Sequence, residues 1–333
     1  MHDLLLDLRD SMRAFRRDRV HAAAVVGTLA LTLGASTAVF SIVNGVLLRP
    51  LPYPEPHRLV SIREVLPKLA QQYPSLPANA RHVAEWRNRS TSFEAIAALD
   101  WRTTTLTGAG DATQIDVLRA SATLFDVLQI PVVLGRALNR DDERFDRPAV
   151  AVIGEAIWRD RLGRDPAVLG RSVTLGGAQY TIVGVLPAGY ELPRFDALSA
   201  AGSLTATIDV ITPMRIRLDT IGWMGTFNYP VVGRLKPGVS HEQAGAELQV
   251  LQQSIGQIAR DHGLEGQDLR ASMVPLREAI VGRARLGLLL LLGAVGTVVL
   301  IACSNLANLA LARTLGRMRD IAVRSMRRFE RTD

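Results

Sequence analysis

Asp141-Asp142-Glu143 is the densest group of carboxylates in this chain of 333 residues. Three adjacent carboxylates could hold Ca²⁺ or share general acid and base work. Arg140, Arg144 and Arg147 flank them, however, and the pattern reads as a solvated loop whose charge is already balanced. Other chemistry-bearing residues are dispersed. The six histidines (2, 21, 57, 82, 241 and 262) include no pair at a metal-ligand spacing such as H-x-x-x-H. Ser121 and Ser172 lack a nucleophile setting such as G-x-S-x-G. Gly176-Gly177 marks a tight turn, and no G-x-x-x-x-G-K-[ST] cradle for nucleotide phosphates occurs. Trp86, Trp101, Trp158 and Trp223 are spaced as core anchors and not as a stacking platform. The reading therefore expects no catalytic residue, no metal, no cofactor and no enzymatic activity.

The elements that would position a function are plainer. No charged residue occurs from Ala22 to Leu48 or from Leu286 to Leu311. About twenty apolar residues cross the roughly 30 Å hydrocarbon core of a bilayer. Both runs are long enough to span with some tilt, and a buried helix of a soluble core rarely stays uncharged this long. The first run has the small residues Ser36-Thr37-Ala38, which would suit cleavage of a signal peptide. It continues through "VFSIVNGVLL" well past that site, and Asp7, Asp10 and Asp18 mix with the arginines ahead of it, so an uncleaved anchor is expected. Pro50, Pro52, Pro54 and Pro56 close it, because proline has no N–H with which to continue a helix.

Arg9, Arg13, Arg16, Arg17 and Arg19 lie at or before the first run. Arg313, Arg317, Arg319, Arg324, Arg327, Arg328 and Arg331 follow the second. Positive flanks stay in the cytoplasm, so both termini are expected inside and Tyr53 to about Arg285 outside. Most of the formal net charge of +7 thus belongs to the membrane flanks, and anionic lipid, not nucleic acid, is the expected partner of these arginines. The only cysteine, Cys303, lies in the second run, which leaves the outer region without a disulfide or a Cys-based metal site.

In the outer region "HRLVSIREV" (57–65), "NARHVAEWRNRS" (79–90) and "FEAIAALDWRTTTLTG" (93–108) read as strand, helix and strand. A matching unit comprises "YPVVGRLKPGVS" (229–240), the helix 241–263 and "LRASMVPL" (269–276). In that helix Ala244, Leu248, Leu251 and Ile255 mark a buried stripe. Ser240 with Gln243 makes a capping box, and Gly263 is a stop. Between the units lies a β-rich insert: a hairpin at 103–121, the short helix "TLFDVL", the buried strand "AVAVIGE", the helix "AIWRDRLG" ended by Gly163, and a hairpin at 170–187. Gly176-Gly177 suits a primed turn there, in which both positions need positive φ. Residues 196–209 read as a flexible loop. The expected fold class is α+β, with two transmembrane helices flanking split strand–helix–strand units and an inserted β-rich subdomain.

Four stretches, "FSIVNGVLLRPLPYPEPHRLV", "DPAVLGRSVTLGGAQYTIVGVLP", "GRLKPGVSHEQAGAEL" and "LLGAVGTVVLIACSNLANLALAR…RDIAVR", resemble the MacB/FtsX-type ABC transporter permeases. They are most similar to the duplicated orphan permeases of acidobacteria. The resemblance runs in order to about Arg324. It implies a cytoplasmic segment (1–19), a transmembrane helix (20–48), a MacB-like periplasmic core domain (49–285), a second transmembrane helix (286–312) and a cytoplasmic coupling-helix stub (313–333). Porter-like halves at 57–105 and 229–276 would enclose the insert at 106–215. Arg319, Asp320, Ile321 and Arg324 would face an ATPase. The implied setting is the bacterial inner membrane, the implied partner a separate ABC ATPase, and the implied role coupling of ATP hydrolysis to periplasmic motion in efflux or mechanotransmission. Relatives continue past "IAVR" into more membrane helices, so this chain reads as truncated after its second. A homodimer or the missing permease helices would then complete it. The alternatives are a membrane-anchored periplasmic interaction module and a nonfunctional truncated permease.

Ala30, Gly34 and Ala38 recur every four residues on one face of the first helix, a small-residue stripe that permits close helix approach. Asn305 and Asn308 need hydrogen-bond partners inside hydrocarbon. Depth matches them to Thr28 or Thr32, or to further helices. The expectation is two helices packed through the small stripe.

Overall fold

The computed structural model describes residues 19–45, 51–193, 205–264 and 268–329. The chain divides into two units, Met1–Arg49 with Arg283–Asp333, and Pro50–Gly282. In chain order the elements are α1 (Arg19–Val43), β1 (Leu59–Val65), β2 (Ala78–Asn79), α2 (Ala80–Arg89), β3 (Phe93–Thr107), β4 (Thr113–Ala120), α3 (Leu124–Leu128), β5 (Leu134–Gly135), β6 (Val150–Ile153) and α4 (Glu155–Leu162). There follow β7 (Ser172–Leu175), β8 (Ala178–Val185), β9 (Glu191–Pro193), β10 (Thr205–Thr207), β11 (Val210–Pro213), β12 (Phe227–Tyr229), β13 (Val231–Leu235), α5 (His241–Asp261), β14 (Arg270–Pro275) and α6 (Leu276–Phe329). Of the loop expected at 196–209, residues 196–204 lie outside the described residues. Thr205–Thr207 is not loop but a strand paired with β9.

Strand β3 joins the two parts of the outer unit. Its first half pairs antiparallel with β13, from Phe93↔Leu235 to Ala98↔Val231, and its second half with β4, from Leu99↔Ala120 to Leu106↔Thr113. The insert is therefore continuous with the sheet of the strand–helix–strand units, in the order β14-β1-β13-β3-β4-β11-β6-β8-β5. Strand β7 pairs with both β8 and the far end of β3. That pairing returns β3, β4, β11, β6, β8 and β7 on themselves as a closed ring, which leaves none of these strands a bare edge within the ring. Gly176 and Gly177 both have positive φ, +56° and +85°. Gly176 does more than turn: its N–H donates to Thr105 O at 2.9 Å, at the seam where the ring closes.

Strand alternation assigns the cores. All four residues of β6 are buried because both its faces are covered. Ala151 and Ile153 turn into the ring with Ile115, Val117 and Ile182. Val150 and Val152 turn toward Leu124, Val127 and Leu128 of α3. In the remaining strands Val60, Ile62, Ile96, Ala98 and Val231 share a core with Trp86 of α2 and with Ala244, Leu248, Leu251 and Ile255 of α5. The Ser240–Gln243 capping box forms as its spacing requires.

The helix α6 is unbroken from Leu276 to Phe329, so the second span and the basic segment after it, both in the first unit, are one helix and not separate elements. The most apolar windows are Val26–Val43 and Arg285–Asn305. On α1, Thr32 and Val43 are buried and Ser36 and Val39 half-buried, a single stripe. On α6 the corresponding stripe is Leu288, Val295, Val299 and Ala302. Each helix thus carries a single covered stripe, on one face.

The small stripe lies elsewhere. Ala30, Gly34 and Ala38 are exposed, and a Cβ on Gly34 would meet nothing within 4 Å. The physical reason is local. Thr32 Oγ1 donates to Thr28 O at 2.7 Å and Ser36 Oγ to Thr32 O at 2.6 Å. Hydroxyls returned to their own helix present an apolar outer surface that is inexpensive to bury. Asn305 and Asn308 are exposed in the chain.

Candidate functional site

Among the described residues, no three His, Cys, Asp or Glu side chains come close enough to hold a metal ion. What the fold assembles instead is a set of buried joints.

The first is the end of β14, which passes directly into the first turns of α6 within the outer unit. Strand β14 ends at Pro275 and α6 starts at Leu276, with no loop between them. Leu276 is fully buried in the core of the outer unit. Strand β1 pairs antiparallel with β14 from Val60↔Pro275 to Val65↔Arg270. The start of β1 and the end of β14 thus lie at one end of the sheet. Arg63 of β1 also reaches the first turns of α6, its Nη2 donating to Ala279 O at 3.3 Å.

The second joint is Arg234 on β13, fully buried on the face that Val232 shares. Its Nε donates to Val127 O of α3 at 2.7 Å, and its Nη2 to Pro54 O at 2.9 Å. Beside it Arg58 Nε donates to Leu235 O at 2.8 Å, while its guanidinium pairs with Glu55 and Glu94. Burial, with the neighbouring Arg58 charge, lowers the Arg234 pKa from its ordinary value against the pull of Glu94 and Glu55. Burial also pushes the Tyr190 hydroxyl up, with Arg234 acting the other way. A forked guanidinium is the side chain that can hold two carbonyls from separate segments in this way.

The third joint is a polar node inside an apolar layer. Glu64 follows Val60 and Ile62 on the helix-covered face of β1. It is fully buried, as are Asn79, His82, Trp86 and Gln252. Its Oε1 accepts from Asn79 N at 2.8 Å, and both its oxygens lie 2.9 Å from His82 Nδ1. Gln252 Nε2 of α5 donates to Glu64 Oε2 at 3.3 Å, and Gln252 Oε1 accepts from Trp86 Nε1 at 3.0 Å. The node therefore ties together β1, α2 and α5, which come from both strand–helix–strand units. Sequence reasoning placed His82 among scattered histidines. The available signals were a carboxylate where the β1 alternation calls for an apolar residue, and a histidine on the buried side of α2 beside Val83 and Trp86.

The acidic triplet is also a joint and not a solvated loop. Asp142 is buried, and Arg136 forks onto it at 2.7 and 2.9 Å. Burial pushes the Asp142 carboxyl up. The Arg136 fork, the Asn139 N–H and the nearby charge of Arg215 outweigh that and hold it below the usual range. Glu143 accepts from Ala122 N at 2.7 Å and pairs with Arg87 of α2 at 3.3 Å. Flanking Arg144 turns away to Asp146, at 2.6 Å. Arg319, Asp320, Ile321 and Arg324 lie on α6, with side chains beyond what the structure describes.

The model of the MacB-like periplasmic core domain matches residues 22–251. No curated protein matches the chain significantly. Among solved structures the chain is similar to a domain of a provisionally assigned permease from Porphyromonas gingivalis, at 17% identity and a TM-score of 0.46, covering 67% of this chain and 92% of that one. It is similar to the periplasmic region of MacB from Actinobacillus actinomycetemcomitans, at 12% identity and a TM-score of 0.45, covering 74% of this chain and 98% of that one. It is also similar to the extracellular domain of the noncanonic ABC-type transporter YknZ from Gram-positive bacteria, at 15% identity and a TM-score of 0.43, covering 64% and 99%. The family match takes in α1, the whole insert and most of the sheet, well over half of the sequence, and the chain accordingly belongs to the MacB-like periplasmic core domain family, whose permeases its four sequence motifs resemble.

Proposed function

We propose that the chain is a permease subunit of the bacterial inner membrane that converts ATP hydrolysis by a separate ATPase into motion of its periplasmic domain, for efflux or mechanotransmission. Both termini lie in the cytoplasm in this reading, where the arginine excess of both flanks favours them. The chain performs no catalysis of its own, and nucleotide chemistry belongs to the partner. The observation that carries the reading is the direct passage of β14 into α6. A continuous helix of 54 residues that follows a sheet strand directly has no loop in which a displacement could be absorbed. The basic segment around Arg319, Asp320, Ile321 and Arg324, on that same helix, is then the part offered to the ATPase.

The test is an insertion of Gly-Ser-Gly between Pro275 and Leu276, in membranes that also hold the partner ATPase. The outer domain is expected to fold, and its ATP-dependent change in spin-label distances is expected to disappear. A response that survives the insertion would overturn the coupling route. Reporter fusions at Gly176 and after Phe329 test the topology, and an exported C-terminal fusion would sink the reading.

A further inference from the structure

Each ring nitrogen of the buried His82 faces an oxygen. Nδ1 lies 2.9 Å from both oxygens of Glu64, and Nε2 lies 2.7 Å from the carbonyl oxygen of Trp223. A carbonyl can only accept, so Nε2 carries a proton if that contact is a hydrogen bond. A neutral imidazole has a single N–H, which leaves Nδ1 with a lone pair directed at Glu64. The contact at Nδ1 then requires either a second ring proton or a proton on the carboxyl group. In both cases the pair holds one proton more than a neutral histidine beside an ionised glutamate. Glu64 already accepts from Asn79 N and Gln252 Nε2. Once the extra proton leaves, the remaining one is better placed on Nδ1, facing the carboxylate, and Nε2 is left with its lone pair against the Trp223 carbonyl.

That carbonyl belongs to the loop joining β11 to β12, and Asn79 and Arg81, at the start of α2, hold the 221–225 part of that loop. Asn79 Nδ2 donates to Gly222 O at 3.0 Å and to Gly225 O at 2.9 Å, and Arg81 Nε donates to Ile221 O. The Arg81 guanidinium lies 5.0 Å from the centre of the Trp223 ring. The Trp223 ring stacks on His82 at 6.3 Å, and the His262 ring lies tilted against Trp223 at 6.0 Å. Phe227 of β12 also faces His82, at 6.3 Å. The groups around His82 are thus Glu64 from β1, Arg81 from its own helix, Trp223 and Phe227 from the loop and β12, and, against Trp223, His262 at the end of α5.

We propose that the Glu64–His82 pair is a proton-controlled latch on the 221–225 segment of this loop, closed while the pair holds its extra proton and released as pH rises. The latch stands on this geometry alone and does not depend on the transport reading.

The test is hydrogen–deuterium exchange on the full chain in detergent, from about pH 5 to about pH 9, corrected for intrinsic exchange. Peptides covering 221–226 are expected to show a step of about tenfold or more toward faster exchange on the alkaline side, with β13 unchanged. In Glu64→Gln the amide supplies the donor toward Nδ1 at every pH, so Nε2 keeps its proton on the Trp223 carbonyl, the loop should exchange slowly throughout and the step should vanish. In His262→Gln the step should remain. A flat wild-type profile, a step that persists in Glu64→Gln, or a step lost in His262→Gln would each overturn the latch. If Glu64→Gln does not fold, the wild-type profile and His262→Gln still decide.

Discussion

His82 Nδ1 lies 2.9 Å from both carboxylate oxygens of Glu64, and neither side chain has any exposed surface. The pair bridges the first strand of the sheet to α2 within an otherwise apolar layer. Breaking a buried pair by removing one partner leaves the other uncompensated, which costs about 3–5 kcal/mol. His82→Ala alone and Glu64→Ala alone are each expected to destabilise the outer domain by about that much. The double variant should cost clearly less than the two singles added together. Denaturant unfolding of all four proteins measures this coupling.

The two glycines of the β7–β8 turn separate two effects. Both have positive φ, but a Cβ on Gly176 would lie 2.6 Å from Thr104 Oγ1, whereas one on Gly177 would meet nothing within 4 Å. Gly177→Ala should therefore cost about 1 kcal/mol from backbone conformation alone. Gly176→Ala should cost more, because it also presses on the seam between β7 and β3. Thermal melts of the two variants, compared directly, check the order.

Asp142 gives the acid limb of stability a named contributor. Its carboxyl is held below the usual range by the Arg136 fork, the Asn139 N–H and neighbouring positive charge, against the opposing effect of burial. A depressed carboxyl contributes stability that is complete above its unfolded value, near pH 4, and is lost as pH falls through the folded value. Asp142→Asn should thus be less stable than wild type at neutral pH. Its stability should also fall less steeply than wild type below about pH 4. Urea unfolding at several acid pH values measures both.

The covered stripes of the two helices predict a crosslinking pattern. Val39 of α1 and Val295 of α6 lie on the covered stripes, whereas Gly34 is exposed. In a Cys303→Ser background, cysteines at 39 and 295 are expected to form a disulfide on oxidation. Cysteines at 34 and 295 are not. Efficient crosslinking from position 34 would restore the small stripe as the packing face.

Much of this protein is legible in its sequence because the signals are local. Uncharged runs, the Ser240–Gln243 box, the glycines at 163 and 176–177, and the Ala244–Leu248–Leu251–Ile255 stripe each depend on residues within a few turns of one another, where propensity and periodicity decide. Four things were decided only by the tertiary structure. Closure of the ring by β7 rests on pairs such as Leu106↔Leu175, and the strand pattern of either segment fits an open sheet equally well. The partners of Glu64, Asp142 and Arg234 lie on other elements, and a charged residue in a sequence does not show which distant group will face it. The covered faces of α1 and α6 were misread because small residues permit close packing without requiring it. Here Thr32 and Ser36, with their hydroxyls satisfied within their own helix, offered a surface equally inexpensive to bury. The continuity of α6 joins a strand, an apolar run and a basic segment whose compositions differ, and helical hydrogen bonding disregards that difference because none of the residues from Leu276 to Phe329 is a proline.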